Sequence, residues 1–319
     1  MNARRPRLAA HLAALVAAGV LVATATTFAT TLAMAEAAAP DAQAVLEMQR
    51  DDESGLEYLE VITGGAAATD ALPVVVAMHG LGDNPHSFRL LLDDLPARAR
   101  VLFPRGPMPH GADGYSWFDF HSDDEEGSAE LGAGIRSAAD RVALLVADVI
   151  ARTGAPRRAV VCGFSQGGML SFALAASHPE LVSTAIPLSG YLPTVLWPRE
   201  RPTVRPLPKV IALHGEADHL IPVDSARWSV EALKGNGYEA VLTTYPGVGH
   251  ALSPPMRAAL ESAVVAAVGE LSPAGAAAAG APESSVAPAP VAPRPLVAAP
   301  PVVAAPPVAA GPPEAAPLH

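Results

Sequence analysis

Apolar residues in this 319-residue chain form short continuous runs that alternate with longer amphipathic stretches. The run at 73–78 is apolar throughout, as expected for a strand covered on both faces of a sheet. Residues 130–153 carry apolar side chains at helical spacing, which predicts a helix with one buried face. Strands are predicted at 56–62, 73–78, 100–103, 159–162, 185–190, 209–214 and 239–245, and helices at 87–95, 130–153, 169–177, 223–234 and 254–271.

This alternation of buried strands and amphipathic helices predicts the α/β class, with a mostly parallel central sheet and helices on both faces. Glycine- and histidine-rich turns follow several of the predicted strands. Open α/β sheets place their functional sites at the carboxyl ends of strands. We therefore expect the chemistry to lie in these turns.

The two ends of the chain differ in composition from this pattern. Residues 1–35 combine three arginines, an apolar run and the sequence Ala33-Met34-Ala35, which predicts a secretory signal peptide. An uncleaved membrane anchor is the alternative. Residues 36–55 are interpreted as a linker and 56–271 as the catalytic domain. Residues 272–319 contain 13 of the 33 prolines and are interpreted as a disordered Pro/Ala-rich tail, with a possible role in cell-envelope association.

Charge and cysteine content exclude several classes of function. The formal net charge of −11 argues against nucleic-acid binding and against electrostatic docking on anionic membranes. The single cysteine, Cys162, permits no intramolecular disulfide. No histidine or cysteine cluster has the spacing of a metal site, so neither a metal nor another cofactor is predicted.

The segment 163–167, Gly-Phe-Ser-Gln-Gly, lies between a predicted strand and a predicted helix. That context turns the short G-x-S-x-G pattern into the signature of a nucleophile elbow, with Ser165 on the turn. Glycines on either side let the strand and the helix pass close together. The helix that starts after Ser165 would direct free N–H groups at a developing oxyanion.

Two further residues complete a catalytic triad in the chain order Ser165, Asp218, His250. A serine hydroxyl needs a base to attack a carbonyl, and the base needs an acid to hold its tautomer. Asp218 and His250 each follow a predicted strand. Glu216 and Asp224 are alternatives for the acid.

The turn at 79–83, His-Gly-Leu-Gly-Asp, follows the apolar run 73–78. Hydrolases with this elbow place one oxyanion donor in such a loop and the second on the residue after the nucleophile. We assign these donors to the backbone N–H groups of Leu81 and Gln166. His79 is expected to buttress the loop.

The substrate contacts are predicted in two loops that follow strands. The loop at 115–119 is rich in aromatic residues, which predicts that Trp117 and Phe118 line a cleft. Tyr191 and Leu192 follow the strand 185–190 and complete the predicted contacts.

These segments resemble the phospholipase/carboxylesterase family, which includes acyl-protein thioesterases and bacterial carboxylesterases. The matching segments are His79–Asp83, Ser116–Asp119, Gly163–Gly168, Leu188–Pro193, His214–Asp218 with Ile221–Pro222, and Gly249–His250. The resemblance covers about residues 56–270. It implies an α/β-hydrolase that cleaves carboxylic esters, and in some members thioesters or lysophospholipids. It also implies that Leu81 and Gln166 are oxyanion donors and that Trp117 is a wall of the acyl site.

Together these features predict an exported serine esterase that hydrolyses small acyl esters of short to medium chain length through an acyl-enzyme. A lysophospholipase, peptidase or thioesterase on the same triad is the alternative within enzymes. A non-catalytic binding protein tethered to the envelope by its tail is the alternative from another class.

Overall fold

The computed structural model describes residues 46–119 and 129–272. The predicted signal peptide lies outside these residues, as does the predicted tail apart from Ser272. The strands are β1 (Gln49–Arg50), β2 (Glu57–Ile62), β3 (Val74–Met78), β4 (Arg100–Pro104), β5 (Met108–His110), β6 (Gly114–Ser116), β7 (Ala159–Phe164), β8 (Val182–Leu188), β9 (Lys209–Gly215) and β10 (Glu239–Tyr245). The α-helices are α1 (Pro85–Phe88), α2 (Ala129–Thr153), α3 (Gln166–Ser177), α4 (Val223–Gly235) and α5 (Pro254–Leu271).

Eight strands form one sheet in the order β1-β2-β4-β3-β7-β8-β9-β10. Strands β4, β3, β7, β8, β9 and β10 are parallel to one another. At the edge of the sheet β1 pairs antiparallel with β2, and β2 pairs antiparallel with β4. The predicted α/β class with a mostly parallel sheet is confirmed. The remaining strands, β5 and β6, form a separate antiparallel hairpin.

The two faces of the sheet bury different sets of side chains. Along β3, Val74, Val76 and Met78 belong to one core, and Val75 and Ala77 belong to the other. This alternation follows from the two-residue repeat of a strand. Helices α2, α3 and α4 supply the first core, and α1 and α5 supply the second, so every residue of β3 is buried.

Residues 36–45 of the predicted linker lie outside the described residues, whereas residues 49–55 are folded onto the sheet rather than forming a linker. Within this segment β1 pairs with β2, and Asp51, which is 5 % exposed, accepts the Ser54 N–H at 2.7 Å. A two-residue polar edge strand has no hydrophobic period, so the pattern did not reveal it. Residues 49–55 therefore extend the folded domain.

The β5–β6 hairpin occupies a segment that the sequence suggested was a loop. Its Gly114 lies directly against the turn that follows β3, because a Cβ at this position would come within 2.1 Å of the Gly82 carbonyl oxygen. The backbones of Asp83 and Tyr115 form an isolated antiparallel bridge. The hairpin thus supports the turn where the sequence analysis placed one oxyanion donor.

No helix within the two described ranges is long and apolar enough to cross a membrane.

Candidate active site

Ser165 lies on a sharp turn between β7 and α3. Its backbone angles, φ of 55° and ψ of −115°, are unfavourable for a residue other than glycine. Strained backbone conformations of this kind are typical of functional sites, where the surrounding structure holds them in place. The turn is tight because α3 crosses the end of β3. A Cβ on Gly167 would lie 2.0 Å from the Met78 carbonyl oxygen, so only glycine fits at this position.

The three predicted triad residues come together at the carboxyl ends of the parallel strands. His250 Nε2 lies 2.9 Å from Ser165 Oγ, and His250 Nδ1 lies 2.7 Å from Asp218 Oδ2. Because a carboxylate only accepts hydrogen bonds, Nδ1 carries the proton and Nε2 accepts the hydrogen bond from the serine hydroxyl. This arrangement leaves His250 Nε2 free to take the serine proton.

Asp218 is almost completely buried, with 4 % of its surface exposed. Burial alone would raise the pKa of Asp218, but hydrogen bonding to His214, His250 and the Ile221 N–H outweighs it and holds this pKa well below its usual range. The backbone N–H groups of Leu220 and Ile221 donate to Oδ1 at 3.0 and 2.9 Å. The carboxylate is therefore charged and oriented at neutral pH.

Neither alternative acid reaches His250. Glu216 is exposed and accepts a hydrogen bond from Thr244 Oγ1 at 2.7 Å. Asp224 is exposed and forms an ion pair with Arg227 on the first turns of α4. The geometry thus separates three acidic residues that lie within nine positions of the sequence.

The two predicted oxyanion donors lie in segments next to Ser165. Leu81 is in a turn closed by the hydrogen bond from the Asp83 N–H to the Gly80 oxygen at 3.3 Å, and the φ of +78° at Gly82 is the left-handed value that a type II turn requires. A Cβ built on Gly80 would lie 3.4 Å from Ser165 Cβ, so this turn is close to the serine. Among the described residues, no acceptor is found for the backbone N–H of Leu81 or of Gln166, the first residue of α3.

His79 holds this turn from behind, as the sequence analysis expected. Its Nε2 accepts the Gly106 N–H at 3.0 Å, so the ring proton is on Nδ1, which donates to the Gly80 oxygen at 2.7 Å. His79 is 1 % exposed, and burial lowers its pKa more than the bond to Gly80 raises it. The ring therefore stays neutral and keeps both hydrogen bonds at neutral pH.

The four predicted substrate contacts are buried rather than placed along an open cleft. Trp117, Phe118, Tyr191 and Leu192 are 3, 3, 6 and 0 % exposed and belong to the first hydrophobic core. Long-range hydrogen bonds accompany this burial: the Trp117 indole N–H donates to the His79 oxygen, and the Leu192 N–H donates to Ser229 Oγ. Their contact with a substrate stays a prediction.

Trp117 and Phe118 also line a cavity of about 570 Å³ between the β5–β6 hairpin and α2. Leu131 and Ala138 of α2 contribute to its wall, and none of the triad residues does.

Phe164 is a member of the site that sequence reasoning missed. Its ring lies 4.9 Å from the His250 ring, centroid to centroid, and packs against Gly80. The only signal for Phe164 in the sequence is its position between the glycine and the serine of the elbow. In the described residues no group of three or more His, Cys, Asp or Glu side chains could hold a metal ion.

The sheet, the elbow and the hydrogen-bonded Ser165, His250 and Asp218 define the class as a serine hydrolase of the α/β-hydrolase fold. The family model described as Phospholipase/Carboxylesterase matches residues 57–264, and the chain belongs to this family. The predicted family and enzyme class are confirmed.

Similar proteins include both esterases and thioesterases. A probable carboxylesterase from Oryza sativa subsp. japonica is 31 % identical over 209 residues, which cover 62 % of this chain and 78 % of the relative. Acyl-protein thioesterase 1 from Gibberella zeae is 28 % identical over 207 residues, which cover 59 % of this chain and 87 % of the relative. The crystal structure of esterase PE8 has the same fold, with a TM-score of 0.55, 23 % identity and coverage of 66 % of this chain and 97 % of that one.

Proposed function

We propose that the protein hydrolyses carboxylic esters through an acyl-enzyme on Ser165. The observation that supports this best is the continuous hydrogen-bond chain from Ser165 Oγ through His250 to Asp218. His250 Nε2 takes the hydroxyl proton as Oγ attacks the ester carbonyl, and a tetrahedral intermediate forms. The same proton then goes to the leaving alcohol, and Ser165 retains the acyl group.

Water completes the cycle by the same steps. His250 accepts a proton from a water molecule as its oxygen attacks the acyl carbon. The second tetrahedral intermediate collapses, the acid leaves, and the proton returns to Ser165 Oγ. Asp218 remains ionised throughout and stabilises the imidazolium that forms in each half-reaction.

The backbone N–H groups of Leu81 and Gln166 bind the oxyanion of both intermediates in this proposal. This assignment is supported because neither N–H group has an acceptor among the described residues. The amino terminus of α3 adds its partial positive charge at the same place. Preorganised donors of this type stabilise the charge that develops in the transition state more than the substrate itself.

Short- to medium-chain acyl groups are the proposed substrates. The support is the burial of the side chains expected to line an acyl cleft, together with the fact that the cavity lined by Trp117 and Phe118 includes none of the triad residues in its wall. Leu81, in contrast, has 39 % of its surface exposed next to the elbow and offers a small apolar contact. A lysophospholipase or thioesterase activity on the same triad is the second candidate, favoured by the likeness to an acyl-protein thioesterase.

Export to the periplasm or medium is proposed from the sequence at 1–35. An exported enzyme would meet small esters rather than acylated cytosolic proteins. Amino-terminal sequencing of the secreted form tests this, with cleavage after Ala35 as the expected result. An intact amino terminus in the membrane fraction would favour the uncleaved anchor instead.

The first experiment compares the full chain with Ser165→Ala on p-nitrophenyl esters of increasing acyl length. We expect the substitution to lower kcat by roughly three or more orders of magnitude, because it removes the nucleophile. Highest activity on the shorter esters is expected. Equal activity in both proteins would exclude Ser165 as the nucleophile, and preference for long chains or lysolipids would overturn the substrate proposal.

A further inference from the structure

Trp117 donates a hydrogen bond to each of the two segments that carry the proposed oxyanion donors. Its indole N–H donates to the His79 oxygen at 3.0 Å, in the turn that presents Leu81. Its backbone N–H donates to the side-chain oxygen of Gln166 at 2.9 Å. One residue thus connects the turn after β3 with the amino terminus of α3.

Each connection is reinforced by a second contact. The Gln166 side-chain NH₂ donates to the Phe118 oxygen at 2.9 Å, so the amide is held at both ends by the backbone at 117–118. On the other side the indole ring lies against the His79 ring, with centroids 5.2 Å apart. His79 in turn donates to the Gly80 oxygen, at the other end of the peptide unit that carries the Leu81 N–H. Because a peptide unit is planar, fixing that oxygen fixes the direction of the Leu81 N–H.

We propose that Trp117 is a positioning residue that sets the distance and orientation of the two oxyanion amides, through its indole on the Leu81 side and its backbone on the Gln166 side. This inference rests on the proposed function of Ser165 as nucleophile. Oxyanion donors act only when they lie about 2.7 to 3.1 Å from the position of the charged oxygen. A displaced amide therefore slows the chemical step and leaves the binding of the neutral ester nearly unchanged.

Trp197 provides a matched control for the loss of an indole hydrogen bond. Its indole N–H donates to the Leu192 oxygen at 2.8 Å, in the loop that follows β8. That bond resembles the one between Trp117 and His79 in length and in the type of acceptor, but it reaches neither donor segment. A phenylalanine at either position keeps an aromatic ring and removes one N–H.

The experiment measures kcat, KM and thermal unfolding of the full chain, Trp117→Phe and Trp197→Phe on a short-chain p-nitrophenyl ester. We expect W117F to lower kcat by about 10- to 100-fold with KM changed less than about threefold, because small displacements of catalytic groups have effects of this size. W197F should leave kcat within about threefold. A kcat for W117F no lower than that of W197F would overturn the proposal, whatever the change in stability.

A second variant decides the question if W117F does not fold. Gln166→Met has similar volume, keeps the backbone N–H of the elbow and removes both side-chain bonds to 117–118. We expect the same fall in kcat at constant KM, and an unchanged kcat would overturn the proposal. An inactive wild type, or an active Ser165→Ala, would instead overturn the proposed function, so the two failures are distinguishable.

Discussion

The candidate site has two halves: the acid half, around Asp218, and the oxyanion half, around the backbone N–H groups of Leu81 and Gln166. The two halves are held together in different ways. In the acid half, Asp218 receives hydrogen bonds from the backbone of Leu220 and Ile221, and His214 lies 3.4 Å away, all within eight consecutive residues. In the oxyanion half, four hydrogen bonds made by His79 and Gln166 join residues 27 to 49 positions apart. One half is a single turn after β9, whereas the other is assembled from three loops.

This difference predicts how each half responds to change. A turn held by its own backbone keeps its shape when distant packing changes. An assembly of three loops depends on how closely β3, β7 and the β5–β6 hairpin approach one another. We therefore expect packing changes to damage the oxyanion half, and single polar substitutions to damage the acid half.

The largest effect is expected at Gly167, where the oxyanion half is most closely packed. Gly167→Ala would place a methyl group 2.0 Å from the Met78 oxygen and should lower the free energy of unfolding by more than about 4 kcal/mol. Gly269→Ala is the matched control, because this helical glycine has no atom within 4 Å of the added Cβ and should raise stability by about 0.5 to 1 kcal/mol. Urea unfolding of both variants measures the contrast, and equal stabilities would contradict it.

In the acid half, Asp218→Asn should lower kcat by roughly 10³- to 10⁴-fold. The neutral amide no longer holds the His250 tautomer or stabilises its charged form. Glu216→Gln, two residues away and exposed, should keep kcat within about threefold. Steady-state kinetics of the two variants test the assignment, and a larger loss in Glu216→Gln would transfer the role of the acid to Glu216.

The smallest effect is a difference in pH sensitivity between the halves. Burial lowers the pKa of His79, so below about pH 6.5 the unfolded chain takes up a proton that the folded chain resists, and stability falls. The pKa of Asp218 is also lowered, but its contribution is lost only below about pH 4, where the unfolded carboxylate becomes protonated.

Urea unfolding between pH 7 and 5 distinguishes the stability contribution of His79 from that of Asp218. We expect wild type to lose stability at a slope of at most about 1.4 kcal/mol per pH unit from His79. In His79→Asn this contribution should be absent and the curve flatter. Desolvation lowers the pKa of His178, but the nearby carboxylates of Asp140, at 2.8 Å, and Glu180, at 3.8 Å, outweigh it and raise this pKa, and this opposing contribution is common to both proteins. Parallel curves would show that His79 does not contribute.

Much of the triad could be predicted from the sequence because its signals are local. The strand before Asp218 and the glycine-rich turn before His250 are visible as short patterns, and so is the elbow around Ser165. Parallel strands bring their carboxyl ends to one edge, so residues in these turns had to meet there.

The partners in the oxyanion half could not be predicted in the same way. The sequence placed Leu81 and Gln166 in suitable turns, but an aromatic loop residue such as Trp117 faces a cleft or a core with no difference in local pattern. Its burial follows from two long-range hydrogen bonds, to the His79 oxygen and to the Gln166 side chain.

The sequence alone therefore determined the α/β class, the succession of the main strands along the chain and the residues at their ends, because hydrophobic period and turn chemistry are encoded within a few neighbouring positions. Only the tertiary structure decided which side chains around Ser165 are open and which are buried. It also decided that β1 and the β5–β6 hairpin belong to the fold. Those outcomes depend on contacts between distant segments, whose free energy is gained only when the whole sheet has formed.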